Sequence, residues 1–191
     1  MSIILASQSP RRRELLAQMG VPQFEVVPAL GEEIASPGLS PAQLVEVLSR
    51  QKAEEVAVQA GPDDVVIAAD TVVAVDGAVL GKPRDPADAA RMLSLLSGRA
   101  HTVYTGVTVR RGTFSRTAHE ATQVRFRPLT QSEISAYIAT GEPMDKAGAY
   151  GVQGLGALLV ERLDGDFFNV MGLPVLRLSR MLERFGVHFF C

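Results

Sequence analysis

The chain has 191 residues, of which 47% are apolar and 21% are charged, an ordinary composition for a globular protein. Nineteen basic residues face 21 acidic ones, and the net charge of −2 argues against a general binder of nucleic acids or anionic membranes. The single cysteine, Cys191, excludes an internal disulfide framework and a cysteine-cluster zinc site, while His101, His119 and His188 are too scattered for a local histidine metal motif.

The sequence contains no segment that predicts export or membrane insertion. The apolar run Met1–Ala6 has no basic region ahead of it, unlike a secretory signal peptide. The uncharged stretch 147–160 is rich in glycine and is shorter than the about 18 apolar residues that a membrane span needs. We therefore expect a cytoplasmic protein. The length predicts one domain over residues 1–191, either large or divided into two lobes.

Strands and helices alternate along the chain, and two hairpins interrupt the alternation. Strands are predicted over residues 3–6, 24–28, 65–75, 78–81, 102–109, 122–126 and 157–163. Helices are predicted to begin at Pro10, Pro41, Pro86 and Pro174 and after Thr130, and to end at or before Gly20, Gly61, Gly98, Gly186 and Gly141, respectively. Capping residues mark four of those starts: Ser9, Ser40 with Gln43, Asp85, and Thr130 with Glu133. This order predicts an α/β fold with a mixed sheet.

A first candidate site lies where the strand 3–6 turns into the first helix. Ser7 and Ser9 precede three consecutive arginines, Arg11, Arg12 and Arg13, in the first helical turn. Backbone N–H groups at a helix start attract phosphate, but arginines there oppose the helix dipole unless an anion compensates them. The pattern favours an anion site, and the alternative is a solvated basic helix face.

A second candidate is the hairpin whose turn is Asp76-Gly77, a strong two-residue turn signal. A two-residue loop places Thr71 opposite Lys82, with Asp70 beside them at the open end of the hairpin. Asp70 interrupts an apolar strand, and burial of a lone carboxylate is costly unless it is paired or bound to a metal. Asp70 is then either a catalytic carboxylate beside a phosphate-binding Lys82, or the partner of Lys82 in a structural ion pair.

Lys52 and the segment 142–154 are two further candidates. Lys52 belongs to an otherwise apolar i, i+4 row on the second helix, so its ammonium either faces a bound anion or reaches past that row to solvent. Glycines in and just after the segment permit close approach of the backbone to a ligand. Gln153 could read a base edge because its amide both donates and accepts hydrogen bonds. The alternative for this segment is a flexible surface loop.

Together these residues indicate a polyphosphate site. Arginines and lysines supply the positive charge, and three carboxylates, Glu33, Asp70 and Asp145, supply oxygen ligands. Oxygen ligands select Mg²⁺ or Mn²⁺ over zinc, and such an ion polarises a phosphoryl group and activates water. Taken alone, the residues predict a phosphoanhydride hydrolase or a nucleotide-binding protein.

Five sequence blocks resemble, in the same order, those of the Maf family of nucleoside triphosphate pyrophosphatases, also known as septum-formation-inhibitor proteins. They are Leu5–Arg12, Ala69–Val73, Gly81–Pro83, Glu142–Gly154, and Gly165-Asp166 with Asn169–Pro174. The resemblance extends over nearly the whole chain. It implies a fold similar to that of inosine triphosphate pyrophosphatases, with a long mixed β-sheet flanked by helices and a central cleft between two lobes.

The resemblance also implies a reaction, the hydrolysis of a nucleoside triphosphate to the monophosphate and pyrophosphate with Mg²⁺ or Mn²⁺ as cofactor. Asp70 and Lys82 are the implied catalytic residues, and Asp70 is the proton acceptor that activates water. Glu33 and Asp70 are the implied metal ligands. The side chains implied to surround the phosphates are Ser7, Arg11, Arg12, Lys52 and Lys82.

Arg12, Thr71 and Gln153 match the branch of the family that acts on dTTP and UTP, so the resemblance implies pyrimidine triphosphates, including modified uridine nucleotides, as substrates. It also implies attack at the α-phosphorus, a homodimer, and a cellular task in nucleotide-pool cleaning or division arrest. We expect no nucleic-acid or membrane partner. The alternatives are a non-catalytic nucleotide-sensing regulator of septum formation and a purine-specific pyrophosphatase of the inosine triphosphate type.

Overall fold

The structure, a computed structural model, describes residues 1–21 and 23–190. Cys191, the single cysteine, lies outside these ranges. The strands are β1 Ile3–Leu5, β2 Glu25–Val26, β3 Val65–Val75, β4 Ala78–Leu80, β5 Ala100–Arg111, β6 Phe114–Phe126 and β7 Val160–Asp164. The helices are α1 Pro10–Gln18, α2 Pro41–Ala57, α3 Pro86–Leu96, α4 Gln131–Ala139, α5 Phe167–Met171 and α6 Val175–Glu183. Short 3-10 turns cover Glu142–Asp145, Ala147–Ala149 and Leu155–Leu159.

The strands form one mixed sheet, as predicted. Its order is β2-β1-β3-β5-β6-β7, and β4 pairs with β3. The pairs of β1 with β2 and with β3 are parallel, whereas β4 on β3 and β7 on β6 are antiparallel. Helices flank the sheet, which confirms the predicted α/β class. Within residues 1–21 and 23–190, no helix is both long and apolar enough to cross a bilayer.

The chain divides into two compact units; three of the boundaries along the chain fall inside β3, β5 and β6, and the fourth follows α5. The first unit comprises Met1–Asp70, Thr105–Glu120 and the chain from Gly172 onwards; the second comprises Thr71–Tyr104 and Ala121–Met171. Asp70 is therefore the last residue of the first unit along β3, and Thr71 is the first residue of the second.

The first unit is built around α2 and the strands on which it packs. Ala53 and Val56 of α2 share a buried cluster with Ile4 of β1 and Val66 of β3. In β5, Gly106 leaves no room for a side chain, because a Cβ there would collide with the backbone of α2. This close approach of helix and strand explains a glycine inside a strand, where it otherwise weakens the sheet.

The second unit has its own apolar core, formed mainly by α3, α4 and its stretches of sheet. His101 lies in that core, where its Nε2 is 2.8 Å from the Tyr150 hydroxyl oxygen and its ring packs edge-on against Phe126. Burial lowers the pKa of His101 to about 4. The imidazole is therefore neutral at physiological pH, which suits an apolar surrounding.

The predicted capping boxes and the predicted hairpin turn, each of which depends on a few neighbouring residues, were confirmed. Both predicted capping boxes form, at Ser40 with Gln43 and at Thr130 with Glu133. At the Asp76-Gly77 turn both residues have positive φ, of 46° and 78°, as a type I′ hairpin requires. The predicted hairpin register is also confirmed by the pairs Val73–Leu80, Ala74–Val79 and Val75–Ala78.

Other boundaries were wrong. The helix α2 ends at Ala57 rather than at Gly61, because the residues after it close into tight turns. The strand β6 begins at Phe114 rather than at Thr122, and its mostly polar first half, which contains no buried residue, hides the strand pattern. The strand β7 begins at Val160 rather than at Ala157, since a 3-10 turn precedes it, and α5 was not predicted.

Candidate functional site

The turn after β1 holds the guanidinium of Arg12. Arg12 Nε donates to the carbonyl oxygen of Gly172 at 2.8 Å, and Nη1 donates to the buried Ser7 Oγ at 3.3 Å. The Ser9 N–H donates to the same Ser7 Oγ at 3.2 Å. Ser9 occupies the predicted N-cap position of α1, with Pro10 as the first helical residue, but its side chain makes no capping bond. A solvated face is therefore wrong for Arg12, whereas Arg13 is exposed.

Lys52 of α2 joins the two carboxylates that the resemblance assigned to a metal. Its Nζ lies 2.7 Å from Glu33 Oε1 and 2.5 Å from Asp70 Oδ1. The Lys52 side chain is only 19% exposed, so the interpretation of a lysine that reaches into solvent is wrong. The ion pair of Asp70 is made with Lys52 instead of the predicted structural pair with Lys82.

Electrostatics place these groups in one neighbourhood. Burial lowers the pKa of the Arg12 guanidinium, and the nearby charge of Arg11 lowers it further. The charges of Asp70 and Glu33 act on the same guanidinium in the opposite direction. Because both carboxylates influence Arg12 and both contact Lys52, they share one electrostatic site.

We name this site the first-unit cluster. It consists of Ser7, Arg12, Glu33, Lys52 and Asp70, all within the first unit. Two positive and two negative side chains balance in it, and Asp70 is the most buried of its carboxylates, 10% exposed against 54% for Glu33. Arg11, half-buried at the start of α1, lies next to it along the chain.

Three predicted site residues belong to the second unit. Thr71 is half-buried in β3, and Lys82 and Gln153 are exposed in turns. The paired part of β4 ends at Leu80, so Lys82 follows the strand instead of pairing with Thr71 inside it. The common action of these three residues with the first-unit cluster stays a prediction.

The segment 142–154 is ordered by its own hydrogen bonds, so its interpretation as a flexible surface loop is wrong. Gly148 N–H donates to the Gly81 carbonyl oxygen at 3.0 Å, which links the segment to the turn that carries Lys82. Residues 148–152 are buried, and Gln153 emerges from them. Asp145 forms an ion pair of 2.7 Å with Lys146 in the same segment.

Sequence reasoning missed two contributors to these sites. The Gly172 carbonyl holds Arg12 across 160 residues of sequence, a contact that no local pattern signals. The Tyr137 hydroxyl accepts from the Gly151 N–H at 3.1 Å and donates to Glu142 Oε1 at 2.8 Å. Tyr137 lies on α4 outside the quoted sequence blocks, and only the requirement that a buried hydroxyl find a partner could have indicated it.

The structure was searched for groups of side chains that could bind a metal ion. Among the residues that the structure describes, no three or more histidine, cysteine, aspartate or glutamate side chains gather in a way that could hold a metal ion. The converging carboxylates of the first-unit cluster are the pair Glu33 and Asp70, brought together by one ammonium.

Solved structures with a similar fold support the architecture. A HAM1 protein from Coxiella burnetii matches with a TM-score of 0.52 at 14% identity, over 96% of this chain and 99% of that one. The Ham1 protein of Staphylococcus aureus matches with a TM-score of 0.51 at 13% identity, again over 96% and 99%. These likenesses confirm the predicted fold and carry no statement on activity.

Sequence relatives are much closer. A dTTP/UTP pyrophosphatase of Bacillus pumilus (strain SAFR-032) is 53% identical over 185 residues, which are 97% of each chain. A dTTP/UTP pyrophosphatase of Moorella thermoacetica is 55% identical over 189 residues, 97% of this chain and 95% of the other. The family model described as Maf-like protein matches residues 2–185. The chain therefore belongs to the Maf family, as the five sequence blocks predicted.

Proposed function

We propose that this protein is a nucleoside triphosphate pyrophosphatase that hydrolyses dTTP and UTP to the monophosphate and pyrophosphate. The observation that carries the proposal is the first-unit cluster, where the buried carboxylate of Asp70 forms an ion pair with Lys52, which also pairs with Glu33. The names of relatives about half identical over nearly their full length support the same substrates.

Asp70 is proposed as the proton acceptor. A carboxylate accepts a proton from a water within hydrogen-bond reach and so turns that water into a nucleophile. The water oxygen then bonds to the α-phosphorus while the bond to the bridging oxygen of the β-phosphate breaks, and pyrophosphate leaves with that electron pair. The contact with Lys52 aligns one oxygen of the Asp70 carboxylate at 2.5 Å and fixes its orientation.

Arginine and lysine side chains are proposed to hold the charge of the phosphates. The Arg12 guanidinium is fixed by the Gly172 carbonyl and the Ser7 hydroxyl, so little reorganisation is needed when substrate binds. We assign Arg11, Lys52 and Lys82 to the same task, in agreement with the sequence blocks that contain Arg11 and Lys82. Thr71 and Gln153 are proposed to contribute to the choice of base.

The first-unit cluster suits a divalent cation, Mg²⁺ or Mn²⁺, in its composition. Glu33 and Asp70 both contact one ammonium, so their oxygens lie within two hydrogen-bond lengths of each other. Mg²⁺ is commonly held by one or two carboxylates together with substrate phosphates, and these two residues would hold it here. When bound, the ion polarises the phosphoryl group and neutralises charge that develops on the phosphates.

We further propose that residues 1–191 act as one cytoplasmic catalytic domain, in two lobes, that forms a homodimer. The match of the family model over residues 2–185 supports a single functional domain. Sedimentation of the purified protein at several concentrations measures the oligomeric state, and a monomer at all of them would refute the dimer.

A substrate panel tests the proposed activity. The purified protein is incubated with Mg²⁺ and each of dTTP, UTP, CTP, ATP and ITP, and pyrophosphate and monophosphate are quantified. We expect both products in equal amounts, fastest from dTTP and UTP. Binding of nucleotide without pyrophosphate release would favour a sensor, and faster turnover of ITP would favour a purine-specific enzyme; either result overturns the proposal.

A further inference from the structure

The carboxylate of Glu142 is the centre of a hydrogen-bond network in the second unit. Its Oε2 accepts from the Leu155 N–H at 2.8 Å, and its Oε1 accepts from the Gly156 N–H at 3.0 Å. Oε1 also accepts from the Tyr137 hydroxyl at 2.8 Å. The main-chain oxygen of Glu142 accepts from Lys146 Nζ at 2.6 Å. One side chain thus ties together the two ends of the segment 142–156.

Tyr137 extends this network to the other side of Gln153. Its hydroxyl oxygen accepts from the Gly151 N–H at 3.1 Å while the hydroxyl hydrogen is donated to Glu142. Burial raises the pKa of Tyr137, so the hydroxyl stays protonated and able to donate. Along the chain, Gln153 therefore lies between the Gly151 N–H, which is bound by Tyr137, and the N–H groups of Leu155 and Gly156, which are bound by Glu142.

The glycines on both sides of Gln153 serve this packing. A Cβ on Gly154 would collide with the Glu142 carboxylate, and one on Gly156 would lie 2.6 Å from the Tyr137 hydroxyl oxygen. A Cβ on Gly151 would lie 2.6 Å from Cε of Lys146. Close approach to the protein's own side chains thus explains glycine at positions where the sequence suggested approach to a ligand.

Glu142 is ionised in this setting. Burial acts to raise its pKa, but the hydrogen bonds from the Gly156 and Leu155 N–H groups and from Tyr137 outweigh burial, and the pKa lies below its ordinary value. A carboxylate that accepts three hydrogen bonds is a stronger anchor than a neutral side chain. The turn 151–156 is therefore fastened by charge-assisted bonds.

We propose that Glu142, with Tyr137, is a positioning residue for base selection: it holds the turn 151–156 so that Gln153 meets the base at a defined place. This rests on the proposed pyrophosphatase activity and on the assignment of Gln153 to base recognition. Uracil and thymine present an N3–H donor beside carbonyl acceptors, whereas cytosine presents an N3 acceptor beside an amine donor. If the turn moves, the Gln153 amide no longer distinguishes uracil and thymine from cytosine, because its two hydrogen bonds to the base need a fixed distance and direction.

The test is the selectivity of Glu142→Gln. The amide NH₂ of glutamine meets backbone N–H donors where the carboxylate accepted from them, which loosens the turn. We expect the ratio of kcat/KM for dTTP over CTP to fall about tenfold or more, mainly through a higher KM for dTTP. Tyr137→Phe, which removes one hydroxyl and keeps the ring in the core, is expected to shift the ratio in the same direction by less.

Glu133→Gln is the matched control. Glu133 also accepts hydrogen bonds from a backbone N–H and a side chain, those of Thr130 and Arg127 of the same unit, and both partners lie outside the turn 151–156. We expect it to leave the dTTP over CTP ratio unchanged. An effect of Glu133→Gln as large as that of Glu142→Gln would reduce the role of Glu142 to general stability and overturn the proposal.

A double variant separates positioning from structure. In the Gln153→Ala background, Glu142→Gln is expected to leave the dTTP over CTP ratio where Gln153→Ala has placed it, since Glu142 acts through Gln153. Independent, multiplicative effects on the ratio, or an unchanged ratio in both Glu142→Gln and Tyr137→Phe, would refute the proposal. Failure of the wild-type protein to hydrolyse any nucleotide would instead refute the proposed function, so the two failures are distinguishable.

Discussion

The first-unit cluster and the Glu142 network hold their functional groups by different physical means. In the first-unit cluster, charged side chains from distant parts of the chain balance each other, as Lys52 does with Glu33 and Asp70. In the Glu142 network, backbone N–H groups within 20 residues of sequence converge on one carboxylate. Side-chain ion pairs can exchange partners when a charged ligand arrives, whereas bonds to the backbone hold the chain itself.

This difference suggests a division of labour. The first-unit cluster is suited to chemistry on phosphates, because its ammonium and carboxylates can each take a new partner of opposite charge. The Glu142 network is suited to recognition, since a fixed turn presents Gln153 at one place. Substitutions in the first region are then expected to reduce turnover of every nucleotide, and substitutions in the second to change the order of preference among them.

The largest expected effect is that of Asp70→Asn. Asparagine keeps the shape and an acceptor for Lys52 but cannot take up the proton of the attacking water. We expect kcat to fall by at least about 100-fold for dTTP and UTP alike, the scale of general-base loss. Steady-state kinetics measure it, with Asp88→Asn as the control, because Asp88 is also a buried carboxylate in an ion pair but belongs to α3. Near-normal turnover of Asp70→Asn would reject its role as base.

The second prediction concerns Lys52→Met, which removes the positive charge between Glu33 and Asp70. We expect kcat/KM for dTTP to fall about 30-fold, because a cation that holds phosphate charge is lost. The affinity for Mn²⁺ without nucleotide is expected to rise about tenfold, since the ion no longer competes with an ammonium.

Titration of free Mn²⁺ by electron paramagnetic resonance measures this affinity without any turnover. Arg91→Met is the control, because it likewise removes a cation from a buried carboxylate, that of Asp88, at a distance of 2.7 Å. Weaker Mn²⁺ binding in Lys52→Met would show that Glu33 and Asp70 are not the cation ligands.

Arg12→Lys is expected to have a smaller effect on the same region. Lysine keeps the charge but lacks the planar fork that bonds the Gly172 carbonyl and the Ser7 hydroxyl together. We expect kcat/KM to fall about tenfold for all nucleotides, the scale of one charge-assisted hydrogen bond. The exposed neighbour in Arg13→Lys is the control and should retain full activity. A change confined to base preference would move Arg12 from phosphate binding to base selection.

The two regions also differ in how far the sequence predicts them. Hydrogen bonds between near neighbours, such as the capping box of Ser40 and Gln43 or the Asp76-Gly77 turn, follow from local residue preferences and were predicted in detail. The family resemblance placed Glu33, Lys52 and Asp70 in one site, and the structure brings those three together.

Contacts with the backbone were not predictable in the same way. The carbonyl of Gly172 and the N–H of Leu155 carry no side-chain signature, because every residue other than proline has these groups. Glu142 was visible as part of a sequence block, yet its partners depend on how residues 151–156 turn back upon it. The role of such a carboxylate therefore emerges only from the folded chain.

The smallest expected effect on activity is that of a substitution in the core of the second unit, at His101. The quantity that His101 is expected to change is the dependence of unfolding free energy on pH. His101 contacts the hydroxyl of Tyr150, the residue before Gly151, and burial lowers its pKa to about 4. The ordinary pKa of histidine is about 6.5. Between that pH and about pH 4, His101 binds a proton in the unfolded chain but not in the folded chain, so the unfolding free energy falls as the pH is lowered. At pH 5 this costs about 2 kcal/mol of unfolding free energy relative to pH 7.

His101→Gln removes the titrating group while its amide can still hydrogen-bond with Tyr150. We therefore expect His101→Gln to lose less stability between pH 7 and pH 5 than the wild type, by about 2 kcal/mol, in urea unfolding at both pH values. Activity at pH 7 should change little, since the imidazole is already neutral there. The exposed His188→Gln is the control and should keep the wild-type pH dependence. If His101→Gln kept the wild-type pH dependence as well, groups other than His101 would cause the loss of stability in acid, and the prediction for His101 would be wrong.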